Sequence, residues 1–324
     1  MPDPAAHQPP VLAEVHRGAF LESVHRGHAA VCDASGAVLE GWGDPARAVL
    51  PRSSCKMVQA LPLAREWPDL PAERLALACA SHQGAPVHIE AVGRWLSDLG
   101  LSEPDLRCGP QPSRDRALRH DWVREGRVPD QLCNNCSGKH AGFLMLGQRL
   151  GGGAEYVDSD HPVQCAVLEA FEETTGETSP GHAVDGCSAP NFATSLRGLA
   201  TAMARMAAEE GPHRRLREAM VAHPDLVAGE GRACTDLMRA MDGVAVKTGA
   251  EGVFVAILPA RGLGVAVKVE DGATRAAECA IAALLVRLGA LDAGHPAAAR
   301  WMTPEIRNWR GIVTGGIRPG PALR

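Results

Sequence analysis

The two ends of the chain carry the hydrophobic pattern of β-strands. Short runs rich in Val, Ala and Leu lie between Gly, Asp and Ser residues, and such runs are typical of strands that end at turns. The pattern predicts strands over residues 12–17, 21–32, 37–42, 243–247, 252–258 and 262–270.

The middle of the chain carries a different pattern, in which Ala, Leu, Val and Met recur at three- and four-residue spacing. This spacing places apolar side chains on one face of a helix. It predicts helices over residues 55–67, 87–99, 138–150, 162–174, 191–210 and 213–222, and a strongly apolar final helix over 273–288.

Strands, a long helical insert and then strands with a helix define an α+β pattern. We expect one antiparallel sheet built from both chain ends, over about 11–50 and 243–324. A helical lobe over about 53–241 would be inserted between them. The two lobes are expected to form a single domain over 1–324, which is long enough to bury a large core.

Composition and charge narrow the class of protein. The chain has 324 residues, 45% of them hydrophobic, and a net charge of −5 without a basic stripe, which argues against nucleic-acid binding. No apolar run reaches membrane-spanning length. Residues 1–7 lack the basic and apolar regions of a signal peptide, so a cytoplasmic protein is expected. Most of the ten cysteines should then remain thiols.

A thiol-rich loop over residues 131–137 runs into an apolar helical pattern, and Asn135 or Ser137 is expected to cap that helix. Cys136 and Lys139 are three residues apart, so both project to the same side of the first helical turn. Cys133 and Cys136 form a C-x-x-C, which fits a redox pair, two buried small residues or part of a metal site. No second C-x-x-C exists, and the nearest possible complement is Asp185-Gly186-Cys187, in another polar loop.

Three short motifs suggest nucleophilic catalysis. Ser53 and Lys56 form S-x-x-K at a predicted helix start, where a lysine amine can take the proton of a serine hydroxyl. Ser53 or Ser54 could instead simply cap the helix. Ser81 lies in a polar loop, 80–84, and Val246-Lys247-Thr248-Gly249 opens a strand with the K-T-G of penicillin-recognising enzymes. The order of the three motifs is more specific than any one of them.

The strings over 132–142 and 184–190 resemble those of the asparaginase II-like family, the Rhizobium etli inducible type. The resemblance implies a serine β-lactamase/glutaminase-like fold, a homodimer and a zinc held by Cys136, Lys139, Cys187 and water. A lysine binds a metal only as the neutral amine, so Lys139 would need a strongly lowered pKa. The resemblance also implies two Ser–Lys pairs, Ser53–Lys56 and Ser81–Lys247, although Lys268 lies in a similar string and is the alternative second lysine.

The resemblance implies an L-asparagine amidohydrolase, and the Ser–Lys motifs suggest that it works by double displacement. Ser53 would attack the side-chain amide carbon, with Ser81 as the rival nucleophile, and Lys56 would act as the base. Ser81 and Lys247 would relay protons or hold the substrate, while Asp185 and His82 would contact it. The zinc could position the substrate, activate water or pin two loops.

Two other readings of the motifs stay open. The first is another Ser–Lys acyl hydrolase of the same fold, such as a glutaminase, a peptidase or a β-lactam-hydrolysing enzyme. The second is a non-enzymatic zinc or redox-sensing module built on Cys133 and Cys136. Loss of turnover on Ser53→Ala would separate an enzyme from such a module.

Overall fold

The computed structural model describes residues 8–324, and strands at both ends of this range enclose a mainly helical middle. The strands are β1 Val11–Arg17, β2 Phe20–Asp33, β3 Val38–Trp42, β4 Ala48–Val49, β5 His182–Val184, β6 Pro190–Phe192, β7 Thr194–Ser195, β8 Ala245–Thr248, β9 Val253–Leu258, β10 Leu263–Val269, β11 Glu305–Arg307 and β12 Val313–Pro319. The helices are α1 Lys56–Gln59, α2 Leu61–Glu66, α3 Ala72–Ala78, α4 Pro86–Asp98, α5 Arg116–Glu125, α6 Ser137–Leu150, α7 Pro162–Thr175, α8 Leu196–Ala208, α9 Pro212–Ala222, α10 Pro224–Val227, α11 Ala233–Ala240, α12 Thr274–Arg287 and α13 Pro296–Met302.

The main sheet joins the two chain ends. Its strand order is β11-β12-β1-β2-β10-β9-β8, with β3 also paired to β2, and the pairs are antiparallel. The N-terminal strand β1 pairs with β12, and β2 pairs with β10. This arrangement confirms the predicted α+β fold with one antiparallel sheet built from both ends.

The burial of the central strands explains why they form there. Every residue of β9 is buried, and β10 is buried from Gly264 to Val267. Branched and small apolar side chains such as these pack well on a sheet that is covered on both faces. The hydrophobic effect therefore favours β9 and β10 at the centre of the sheet, where the sequence predicted them.

The chain divides into two compact units. The sheet unit contains Met1–Ser54, Thr194–Ala208 and Asp236–Arg324, and so includes α8, which the sequence assigned to the helical lobe. Within this unit the backbone of α8 lies directly on β10. A Cβ added at Gly264 would lie 2.1 Å from the Ala200 carbonyl oxygen and 2.2 Å from the Ala204 nitrogen, so only glycine allows this approach.

The helical unit contains Cys55–Ala193 and Glu209–Thr235. Its helices α3 and α6 approach each other closely at the start of α6. A Cβ at Gly138 would lie 2.4 Å from the Leu77 carbonyl oxygen, so glycine is required here as well. This close approach fixes the first turn of α6, which carries Cys136 and Lys139 at its start.

Several local expectations were wrong. Residues 190–195 form β6 and β7, so the helix predicted over 191–210 begins only at Leu196. Cys136, and neither Asn135 nor Ser137, is the N-cap residue of α6. The N-cap residue of α1 is Cys55, and the Ser54 hydroxyl instead donates to the Pro51 carbonyl oxygen at 2.8 Å.

Within residues 8–324, no helix combines the length and the apolar character that are needed to cross a membrane.

Candidate active site and metal centre

The sheet unit brings the segment that carries Ser53 against the K-T-G motif. A Cβ at Gly249 would lie 2.6 Å from the Pro51 carbonyl oxygen and 3.3 Å from Ser54 Cβ, so the end of β8 packs directly on this segment. Ser53 is half-buried in a 3-10 turn, and Arg52 just before it adopts a φ of 55°. A positive φ is strained for a residue other than glycine, and such strain often holds functional residues.

Lys247 and Lys268 differ in their surroundings within the sheet unit. Lys247 is 1% exposed, and its Nζ donates to the Thr248 carbonyl oxygen at 3.0 Å. Lys268 is half-buried and donates to the Glu251 carbonyl oxygen, and burial lowers its pKa. The Lys247 amine thus stays close to the K-T-G backbone, whereas the Lys268 amine is hydrogen-bonded to the turn that contains Glu251.

Lys56 connects two loops of the helical unit. Its side chain is 1% exposed, and Nζ lies 2.5 Å from the Ala80 carbonyl oxygen and 3.1 Å from Cys136 Sγ. The residue after Ala80 is Ser81, whose hydroxyl is buried and has no hydrogen-bond partner within residues 8–324. Lys56 therefore joins the Ser81 loop to the thiol loop. The pairing of each serine with one lysine stays a prediction.

The three predicted metal ligands lie together in the helical unit, and all are at most 4% exposed. Lys139 Nζ lies 3.2 Å from Cys187 Sγ. Cys136 Sγ donates to Asn135 Oδ1 at 2.9 Å, and the neighbouring Cys187 together with burial raises the pKa of Cys136. Cys136 and Lys139 in turn lower the pKa of Cys187. The lysine amine and the two sulfurs thus form one interacting cluster.

The donor set of this cluster suits a zinc ion. Burial opposes the charge on Lys139, but the neighbouring Cys187 and Cys136 outweigh burial and raise its pKa, so a metal would have to displace that proton. Two thiolates and a nitrogen are donors that zinc prefers. Among the described residues, no three His, Cys, Asp or Glu side chains gather closely enough to hold a metal. A metal here would therefore need the Lys139 amine as its third protein ligand.

A tight turn presents Cys187. Strands β5 and β6 form a hairpin, and Ser188 in its loop has a φ of 70°. The half-buried Asp185 accepts a hydrogen bond from the Gly186 N–H at 2.7 Å. Asp185 therefore shapes the turn that carries Cys187. Its predicted contact with substrate stays a prediction.

His82 lies in the interior of the helical unit and is 0% exposed. Its Nε2 lies 3.0 Å from the Ser137 hydroxyl, and its Nδ1 accepts from the Gly84 N–H at 3.2 Å. The ring also stacks on His88 with 4.7 Å between centroids. Both ring nitrogens are thus occupied within the protein, which favours a positioning role over the substrate contact that the sequence suggested.

The other buried thiols near the cluster are poorly ionised. Burial raises the pKa of Cys55 to about 12 and that of Cys133 to about 12, and Cys133 Sγ also donates to Asp130 at 3.1 Å. Cys133 and Cys136 are both free. Because the thiolate is the reactive form, Cys133 is a weak candidate for redox chemistry in this state.

Sequence reasoning missed two side chains behind the thiols. His140, which follows Lys139, and Tyr156, the one tyrosine of the chain, are both at most 1% exposed. His140 Nδ1 lies 2.9 Å from the Tyr156 hydroxyl. The sequence contained one signal that could have indicated this contact, namely a single tyrosine within a Gly- and Asp-rich loop.

Comparison with known proteins assigns the family. The chain belongs to the L-asparaginase II family, whose model matches residues 13–319. Membership of this family supports a hydrolase that acts on amides of small molecules. No curated protein sequence matches the chain.

The similar solved structures are distant. Mglu in its glutamate form is 15% identical with a TM-score of 0.48, over 88% of this chain and 66% of that chain. A class C beta lactamase from Rhodobacter sphaeroides is 16% identical with a TM-score of 0.42, over 82% of this chain and 95% of that chain. A beta-lactamase from Mycobacterium bovis is 15% identical with a TM-score of 0.38, over 82% and 95%. With TM-scores below 0.5, these likenesses carry no argument about this chain. The match to Mglu in its native form covers 66% of the Mglu chain, so the present chain spans just under two thirds of the length of that protein.

Proposed function

We propose that the protein hydrolyses the side-chain amide of L-asparagine to L-aspartate and ammonia, with Ser53 as the nucleophile. The observation that carries this proposal is the packing of Gly249, in K-T-G, on Pro51 and Ser54. Two motifs that are 193 or more residues apart in the sequence, 51–54 and 247–249, meet inside one compact unit. Family membership supports the chemistry, and the contact of Gly249 with Pro51 and Ser54 supports the choice of Ser53 as the nucleophile.

The reaction proceeds in two displacements. The Ser53 hydroxyl oxygen attacks the amide carbon while Lys56 accepts the hydroxyl proton. The C–N bond breaks, and that proton leaves with ammonia. Water then adds to the ester carbon, which frees L-aspartate and restores the Ser53 hydroxyl. Backbone N–H groups, that of Ser53 among them, stabilise the oxyanion in each step.

The remaining site residues support these steps. Lys247 holds the substrate or relays a proton, with its amine kept at the K-T-G backbone by the Thr248 carbonyl. Ser81 relays a proton through its buried hydroxyl, and it is the rival nucleophile. Lys56 has its amine at the Ala80 carbonyl, next to Ser81, which is the observation that favours this rival.

Zinc is proposed as the resident metal, held by Cys136, Lys139 and Cys187. When bound, it would supply a Lewis acid that attracts the carboxylate or amine of the substrate. We favour this positioning role because the two Ser–Lys pairs already provide nucleophiles. A homodimer is proposed on family resemblance.

Ammonia release from L-asparagine and L-glutamine tests the function directly. We expect release from asparagine, and a loss of about 10³-fold or more in kcat for Ser53→Ala, because losing a nucleophile removes the covalent path. The exposed Ser97→Ala serves as the matched control and should keep full activity.

Other outcomes of this experiment would support a different substrate or a different nucleophile. Faster release from glutamine than from asparagine would favour a glutaminase. Release that persists in Ser53→Ala but disappears in Ser81→Ala would assign Ser81 as the nucleophile. Folded, zinc-loaded protein that releases ammonia from neither amide would contradict the proposed function.

A further inference from the structure

Tyr156 is a fully buried contact point between three segments of the helical unit. Its hydroxyl oxygen accepts a hydrogen bond from the Arg107 backbone N–H at 2.7 Å and lies 2.9 Å from His140 Nδ1. Gln164 Nε2 donates to the Tyr156 carbonyl oxygen at 2.7 Å, and the rings of Tyr156 and His140 meet edge to face at 5.5 Å. These contacts fix the direction in which the hydroxyl points.

The hydrogen bonds of Tyr156 determine which nitrogen of His140 carries the proton. A tyrosine hydroxyl has one proton to donate, and the Arg107 amide already donates to its oxygen. The hydroxyl proton is therefore directed to Nδ1 of His140. A neutral imidazole that accepts at Nδ1 carries its own proton on Nε2.

The Nε2 atom of His140 is the end of this chain of contacts. It is buried, and within residues 8–324 no partner meets the ordinary distance and angle limits of a hydrogen bond. A buried donor without an acceptor lowers stability, so a folded protein that keeps one is expected to use it. The His140 side chain interacts with the Cys187 side chain, so the sulfur is the neighbouring acceptor for Nε2–H.

We propose that Tyr156 and His140 position the Cys187 sulfur as a metal ligand, with Tyr156 fixing the imidazole and the His140 Nε2–H donating to the sulfur. The inference rests on the zinc site proposed above. Hydrogen bonds behind a ligand orient it, and their loss typically weakens metal binding about 10–100-fold. Neither residue contacts the substrate in this account, so both are positioning residues.

The proposal is tested by measuring the zinc affinity of four proteins in competition with a chromophoric chelator. The proteins are the wild type, Tyr156→Phe, His140→Gln and His140→Asn. A glutamine amide reaches the place of the imidazole Nε2, whereas an asparagine amide reaches only that of Nδ1. We expect Tyr156→Phe and His140→Asn to bind zinc about 10–100-fold more weakly than the wild type, and His140→Gln to bind zinc more tightly than His140→Asn because it keeps a donor to the sulfur.

Cobalt in place of zinc gives a second readout that a merely structural role would not move. The sulfur-to-cobalt charge-transfer band should shift in His140→Asn and stay in place in His140→Gln, because only the latter keeps a donor to the sulfur. Thermal unfolding of each metal-free variant shows whether its fold is intact.

Three results would overturn the proposal. They are equal zinc affinity of the Gln and Asn variants, unchanged affinity of Tyr156→Phe, and a wild type that takes up no zinc. The last result would remove the metal assignment as well, while the ammonia-release test of Ser53 would stand unaffected.

Discussion

Cys187 is the residue on which the proposed metal centre depends most. It accepts a hydrogen bond from Lys139 Nζ at 3.2 Å, and it is buried in a turn in which Ser188 has a positive φ. Cys136 and Lys139 lower the pKa of Cys187, and the thiolate is the form that binds metal. Removal of Cys187 would leave the buried Lys139 amine without this sulfur partner.

Removal of this sulfur should abolish tight zinc binding. We expect Cys187→Ala to bind zinc more than about 100-fold more weakly than the wild type, because a direct ligand matters more than the residues behind it. The exposed Cys165→Ala is the matched control and should keep one zinc per chain. Metal analysis after dialysis measures both. Equal zinc content of the two variants would place the metal elsewhere.

At the scale of elements, the contact of α8 with β10 depends on Gly264. An alanine there would drive its Cβ into the Ala200 carbonyl oxygen and the Ala204 nitrogen, and neither backbone atom can move without shifting the helix. Gly264→Ala should lower the free energy of unfolding by roughly 1–3 kcal/mol or more.

At Gly93 in α4, in contrast to Gly264, an added Cβ should stabilise the protein. A Cβ at Gly93 would meet nothing within 4 Å, and the residue lies inside a helix. Gly93→Ala should therefore raise the free energy of unfolding by about 0.4–1 kcal/mol, because it restricts the unfolded chain. Urea unfolding measures both variants. A Gly264→Ala protein as stable as the wild type would contradict the close packing.

The start of α4 is expected to respond to acid through His88. This side chain is 1% exposed, its Nδ1 accepts from the Ala85 N–H at 3.1 Å, and its Nε2 donates to the Asp225 carbonyl oxygen at 2.9 Å. Burial lowers the pKa of His88 below the usual value for histidine. The unfolded chain thus binds a proton more readily than the folded chain does.

The sign of the pH dependence follows from this difference. The contribution of neutral His88 to stability is complete above the unfolded pKa and declines as the pH falls below it. His88→Gln should therefore lose less stability between pH 7.5 and pH 5 than the wild type does, in urea unfolding at each pH. The exposed His120→Gln is the control. An unchanged acid slope in His88→Gln would show that His88 does not set it.

For the whole molecule, the hydrophobic pattern predicted most strands of the main sheet but missed β11 and β12 at its edge. Strands β9 and β10 are short, Val-rich and bounded by Gly, and each formed within a residue or two of its predicted limits. Helix α5 was missed because most of Arg116–Glu125 is polar, so it shows little apolar periodicity. Strands β6 and β7 were predicted as helix because a two- or three-residue strand has no periodicity to detect.

The candidate site was predicted less completely than the sheet. Motif spacing suggested Ser53, Lys56 and Lys247, and family resemblance suggested Cys136, Lys139 and Cys187. The contact of Lys56 with Cys136, and that of His140 with Tyr156, join residues 80 and 16 positions apart. Contacts of this kind depend on how helices and loops pack, which no local pattern in the sequence specifies.

The central claim is that the chain forms an acyl-enzyme on Ser53 during amide hydrolysis. Rapid acid quenching of the enzyme during asparagine turnover, followed by peptide mass analysis, tests it most directly. We predict an aspartyl ester on the peptide that contains Ser53, and none in Ser53→Ala. An ester on the Ser81 peptide, or ammonia release with no ester on either serine, would contradict the claim.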